Sequence, residues 1–140
     1  MALIAKVLVD TSAQARMADP VVSSVIAPKI SSGLAATCAA LDFEALFSRR
    51  SAADYEQVRG DRQLAYEYLA TTERDWQRAL EVQRRLAAAS RTRAVGMPDL
   101  VIAAVAERER VAIMHYDSDF ELIAEITGQE MRWVAPRGSL

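Results

Sequence analysis

Apolar positions along this chain follow two rhythms. Short unbroken apolar runs alternate with longer stretches in which apolar residues recur every third or fourth position. The first rhythm predicts buried strands and the second predicts amphipathic helices. Ala5–Val9 predicts a strand interrupted only by Lys6, and residues 13–31 predict helix with a break at Ala18–Pro20. Ser31–Gly33 marks a turn, after which the chain starts extended and becomes helical by about Leu41. Ser51 caps a further helix that Gly60 is expected to end, and Leu64–Thr71 alternates like a strand. From Glu73 an amphipathic helix carries Trp76, Leu80 (or Ala79), Gln83 and Leu86 on one stripe, and Arg91–Pro98 is a loop. The helix opened by Asp99 is apolar in its first half and charged in its second. "VAIMHY" predicts a strand, "SDFELIAEIT" a helix stopped by Gly128, and "MRWVAP" a last edge strand before a loose tail at 135–140.

Strands alternating with helices imply an α/β domain over residues 1–140, with a central parallel sheet of four or five strands flanked by helices. In such sheets ligands bind beyond the carboxyl ends of the strands. Asp10 and Asp117 both close apolar strands there.

Composition narrows the picture modestly. Net charge is −2, so no global basic field points to nucleic acid. The basic residues are nonetheless lopsided, with 15 Arg against 2 Lys, and between Arg49 and Arg93 ten Arg face seven acids. Genome composition also explains a surplus of Arg and Ala. Cys38 is alone, which rules out an intrachain disulfide and fits a reducing cytoplasm. The first ten residues are too short and too interrupted for a signal peptide. The longest apolar run, Leu100–Ala106, is far below the roughly 18 residues a membrane span requires.

The acids are the candidate chemistry, and each also has a structural alternative. Asp10 is either a metal ligand, with the Ser12 hydroxyl as a weaker ligand or a donor behind it, or a helix cap. Glu44 falls on the margin of a stripe made by Phe43, Leu46 and Phe47, and Asp42 reads as the cap of that helix. Asp99 suits the first turn after Pro98, yet it opens a nearly all-apolar helix whose start must lie near the core. Ser118 and Glu121 have capping-box spacing, which would leave Asp119 as a first-turn acid. Asp117 is delivered to the sheet edge by its strand, and His115, the single histidine, reads as a packed residue. Carboxylates gathered at one edge repel one another unless a cation neutralises them, and oxygen-only ligands suit Mg²⁺ or Mn²⁺. Such ions hold phosphodiesters and acidify water for attack on phosphorus.

The stretches "VLVDTSA", "DFEALFS", "GMPDLVIAAVA" and "HYDSDFELIA", in this order over nearly the whole chain, resemble the PIN-domain nucleases, most closely the VapC toxins of bacterial type II toxin–antitoxin pairs. The resemblance implies that Asp10, Glu44, Asp99 and Asp117 form the acidic catalytic quartet. It implies that Asp119 joins Asp10, Asp99 and Asp117 around the metal, and that Ser12 is the hydroxyl beside the first acid. It further implies a PIN-like fold, RNA cleavage with Mg²⁺ or Mn²⁺, a homodimer, and a VapB-type antitoxin that pushes a basic side chain into the pocket. Arg49, Arg50 and Arg93 are candidates for holding the RNA backbone. Two other readings stay open: a non-enzymatic PIN-fold binding module, and another acid-based phosphoryl enzyme. A phosphatase of the haloacid-dehalogenase type wants Asp where Ser12 stands, and a receiver domain wants a late Lys, whereas Lys6 and Lys29 are both early.

Overall fold

Three apolar residues, Val7–Val9 (β1), run through the middle of the molecule with no exposure to speak of. The computed structural model describes residues 6–91 and 93–140; Ala5 of the expected first strand and Thr92 of the expected loop lie outside the described residues. After β1 come Thr11–Gln14 (α1), Pro20–Ser31 (α2), Ala35–Thr37 (β2), Ala39–Phe47 (α3) and Ala52–Ala65 (α4). Glu67–Tyr68 (β3), Glu73–Ala88 (α5), Met97–Glu109 (α6), Ala112–His115 (β4), Asp119–Thr127 (α7) and Met131–Trp133 (β5) complete the order. The five strands form one sheet in the order β3-β2-β1-β4-β5, and every neighbouring pair is parallel.

The pleat of β1 explains the two layers around it. Successive side chains of a strand point to opposite faces. Leu8 accordingly joins Leu41, Leu86, Ile102 and Phe120 on one side. Val7 and Val9 join Val22, Ile26, Tyr66 and Met114 on the other. Both faces are covered, which is why β1 and β4 read as unbroken apolar runs rather than alternating ones. Helix α6 is buried from Leu100 to Ala106 because β4, α5 and α7 all pack on it.

Several elements depart from the sequence expectation for identifiable reasons. Helix α4 does begin at a Ser51 cap, but it continues through Gly60 to Ala65. An interior glycine costs about 1 kcal/mol relative to alanine. That is offset two residues later by the buried Arg62, which bonds Asp42, Gln14 and Thr37. The expected strand Leu64–Thr71 therefore shrinks to the two exposed residues of β3. Asp42 is a partner for Arg62 rather than a cap, and α3 starts at Ala39, two residues earlier than expected. Phe43 and Phe47 do not form a buried stripe: they are 78% and 91% exposed, and Leu41 is the residue of α3 that enters the core.

The buried stripe of α5 keeps Leu86 and takes the alternative Ala79, but is turned by one position at Trp76 and Gln83. Asp75, Ala79, Val82 and Leu86 face inward, while Trp76 and Leu80 are 42% and 57% exposed. The cause lies in the first turn. Asp75 closes a capping box with Thr72 and accepts from the Arg108 guanidinium at 2.9 Å, which fixes the helix rotation. We expect Leu86→Ala to cost about 3 kcal/mol and Leu80→Ala less than about 0.5 kcal/mol in chemical denaturation, whereas equal costs would restore the stripe predicted from spacing.

At the far end Gly128 stops α7 at φ +74°, as its position in the sequence suggested. Beyond β5, Arg137 pairs with Glu121, and the Leu140 amide donates to the Tyr116 hydroxyl. No helix among the described residues is long and apolar enough to cross a membrane.

Candidate metal centre

The carboxyl edge of the sheet is where β1 and β4 stop side by side, with Val9 opposite Met114. Asp10 is the next residue after β1. It is almost fully buried and caps α1, as one sequence reading of it expected. Its Oδ2 accepts from the Ser12 amide at 3.0 Å and from the Ser12 hydroxyl at 2.5 Å. The same hydroxyl accepts the Tyr116 amide at 2.9 Å, so Ser12 ties the end of β1 to the end of β4. The other carboxylate oxygen of Asp10, Oδ1, is buried with no hydrogen-bond partner. An orphaned buried carboxylate oxygen is costly unless something cationic meets it.

Asp99 arrives from the start of α6. Pro98 preorganises the first turn, and the apolar helix behind it seats Asp99 beside the core. Glu44 comes from the middle of α3, on the side facing α1. Asp117 and Asp119 follow β4. Here the expected capping box does not form: Ser118 has helical backbone angles, and its side chain makes no cap bond. Asp117 does the local work instead, its Oδ1 accepting the Asp119 amide at 2.9 Å, while the Asp117 amide donates to His115 Nδ1. His115 itself is packed against Phe120 and Trp133, as expected of a core residue.

These five side chains converge. One carboxylate oxygen from each of Asp10, Glu44 and Asp99 lies within 4.8 Å of the others, and the same holds for Asp99, Asp117 and Asp119. Asp99 belongs to both sets and so sits at the centre. The electrostatics follow. Burial, then the charges of Asp10, Asp117, Glu44 and Asp119, push the Asp99 carboxyl up to about 8. Burial raises Asp10 despite the opposing Ser12 hydrogen bonds, and Asp117 adds to the rise. Glu44 is raised by burial and by Asp10, against a hydrogen bond from Thr11, and Asp119 is raised by burial and by Asp117. Every donor is a carboxylate oxygen, a set that fits a hard divalent cation such as Mg²⁺ or Mn²⁺ rather than a thiolate- or imidazole-seeking metal.

Of the three candidate arginines, Arg49 lies in a cleft of about 250 Å³ that also contains Glu44, Thr11, Gln14 and Arg62. Arg50 stands exposed at the α3–α4 junction next to Arg49, and Arg93 is exposed in the loop that leads to Asp99. Sequence reasoning missed Arg62 and Gln14 in this region. Arg62 fell just beyond the helix end assigned to Gly60, so its one signal, a position one turn above Ala65 in a continuing helix, went unread.

The family profile of the PIN domain matches residues 7–126. Ribonuclease VapC21 of Mycobacterium tuberculosis is 42% identical over 132 residues, covering 94% of this chain and 96% of that protein. Ribonuclease VapC51 of the same organism is 36% identical over 135 residues, covering 96% and 97%. Among solved structures, DNA-bound VapBC from Salmonella typhimurium superposes with a TM-score of 0.73 at 15% identity, covering 94% of this chain and 99% of that one. VapBC-5 from Mycobacterium tuberculosis gives 0.65 at 20% identity, covering 91% and 98%. At those identities the structural matches speak to the fold.

Proposed function

Because the chain belongs to the PIN domain family, alongside the VapC ribonucleases, we propose that it is the toxin of a toxin–antitoxin pair, a divalent-metal-dependent endoribonuclease. The observation that carries this reading is the convergence of five carboxylates on Asp99, with Asp10 Oδ1 left unpartnered in the interior. Asp10, Asp99, Asp117 and Asp119 would hold Mg²⁺ or Mn²⁺, and Glu44 completes the set with Asp10 and Asp99. An ion bound there supplies positive charge against the scissile phosphate and acidifies water for attack on phosphorus.

The protein's own groups prepare that chemistry. Ser12 holds Asp10 Oδ2 in place, which leaves Oδ1 as the oxygen free for a cation. The Asp117 side chain is braced by the Asp119 amide. Arg49, beside Glu44, would draw the RNA backbone toward an edge that otherwise repels it, with Arg50 next to it and Arg93 adding a guanidinium from the loop that leads to Asp99. No side chain need act as nucleophile.

The partner reading rests on the exposed rings of Phe43 and Phe47, one helical turn apart on α3 and flanking Glu44. Large exposed aromatics invite a covering surface. An antitoxin of the VapB type laid across α3 would bury both rings and bring a basic side chain within reach of Glu44. A homodimer has a face available in Trp76 and Leu80 of α5, which is checked by sedimentation of the isolated chain.

The decisive experiment incubates the purified chain with total RNA and Mn²⁺, beside Asp10→Asn and beside a chelator control. Cleavage by the parent chain, lost in both controls, is expected. Equal cleavage by Asp10→Asn would remove these acids from the chemistry. A binding-only module predicts no cleavage and little thermal stabilisation by Mn²⁺, whereas an ion site predicts stabilisation that grows with ion concentration.

A further inference from the structure

Between the carboxyl ends of β2 and β3 and the last turns of α4 lies a cavity of about 360 Å³. Its polar lining includes Asp42, Arg59, Arg62 and Gln63, and its aromatic lining is Tyr66 and Tyr68. That volume is within the roughly 300–1,000 Å³ range of small-ligand pockets. Arg62 also lines the cleft that contains Glu44 and Arg49, so it stands between the cavity and the acids. Thr37 and Tyr68, the last residues of β2 and β3, pair in register on the same edge from which Asp10 emerges. Neighbouring strands are about 4.8 Å apart, so the cavity begins about 5–10 Å from Asp10.

We propose that this cavity is a single-nucleotide subsite for the RNA strand, one that selects the base beside the cut; this rests on the nuclease reading for its role, though not for its binding test. Four features of the lining favour a nucleotide over a protein side chain. Tyr68 is 57% exposed on a two-residue edge strand with no strand beyond it among the described residues, which leaves the ring accessible for a base to stack on. Arg62 makes three hydrogen bonds, to Asp42, Gln14 and Thr37, and a guanidinium carries five N–H donors. Arg59 sits at the rim in an exposed pair with Glu56 at 3.6 Å, a weak pair that a phosphate can exchange for, beside the acidic centre. A polyanion that must approach the acids needs such a foothold. Gln63 brings an amide able to donate to and accept from a base edge. The apolar surface a protein partner would want lies instead at Phe43 and Phe47.

The test measures binding of labelled homopolymeric RNA oligomers of A, C, G and U to the Asp99→Asn chain in Mg²⁺, so that no cutting intervenes. Adding Tyr68→Ala should weaken at least one oligomer about tenfold, while Tyr68→Phe, which keeps the ring, should bind like the parent. Arg59→Ala should reduce the slope of log affinity against log salt by about 0.7, the loss of one phosphate contact to a single strand. In the cutting-competent chain, Tyr68→Ala should change the base frequency at one position flanking the cut ends. Oligomer binding that is unchanged in both Tyr68→Ala and Arg59→Ala overturns the subsite and gives the cavity to another occupant, even if cleavage stands. A chain that cuts no RNA but loses oligomer binding with Tyr68→Ala upholds the subsite and overturns the nuclease reading instead.

Discussion

Asp99→Asn is expected to lower RNA cleavage by about 10³-fold or more while making the ion-free chain more stable at pH 8. The loss of activity follows from the position of Asp99 in both carboxylate sets, since its replacement weakens every arrangement that could hold a cation, and the charge such an ion lends to phosphoryl transfer is worth several kcal/mol. The gain in stability follows from its raised carboxyl. In the folded chain Asp99 titrates at about 8, against 3.8 for the ordinary group. Its contribution to stability is therefore fully present below about pH 4 and is lost as pH rises toward 8, because the native state must then ionise a group the unfolded chain ionises easily. Asparagine never has to ionise. In a chelator, the melting temperature of the parent chain should fall from pH 5 to pH 8 relative to that of Asp99→Asn, with a difference at pH 8 on the order of a few kcal/mol. Mn²⁺ should reverse the order, because it binds the ionised parent more tightly than the variant. Parallel pH profiles for the two proteins in chelator would show that Asp99 is not crowded by its neighbours.

The second large effect concerns stability alone. Asp42→Ala should destabilise the fold by about 3 kcal/mol, read as a drop in the denaturation midpoint with an unchanged slope. Arg62 is 5% exposed, and its Nε lies 3.0 Å from Asp42 Oδ1. Removing the acid leaves a buried guanidinium with neutral partners only, Gln14 and Thr37. The double replacement Asp42→Ala with Arg62→Met should recover much of the loss, because it removes the stranded charge as well. A cost for Asp42→Ala below about 0.5 kcal/mol would mean that the pair is solvated in solution.

How much of this was legible in the sequence varies by element. The five parallel strands and the order of helices were readable because β1, β4 and α6 are apolar on every side, a pattern with few alternative explanations. That Asp10, Asp99 and Asp117 would come together was readable because Asp10 and Asp117 close apolar runs at the sheet edge and Asp99 opens one beside the core. What stayed hidden was set by long-range partners. The rotation of α5 depends on Arg108, 33 residues after Asp75, and the extension of α4 past Gly60 depends on a bond from Arg62 to Asp42 across 20 residues. Local periodicity carries no trace of either. The exposure of Phe43 and Phe47 was misread for a related reason: two aromatic residues one turn apart look the same in sequence whether they meet a core or another protein. At Ser118 the spacing for a capping box was present, but the Asp117 carboxylate reached the Asp119 amide first.

Asp10 and Asp117 are held at one edge by the hydroxyl of Ser12 and the pairing of β1 with β4, although more than a hundred residues of chain separate them. A ribosome making this protein therefore adds Asp117 more than a hundred residues after Asp10. A chain cut between the two lacks the assembled centre, so no fragment that stops before β4 can gather the five acids around one cation.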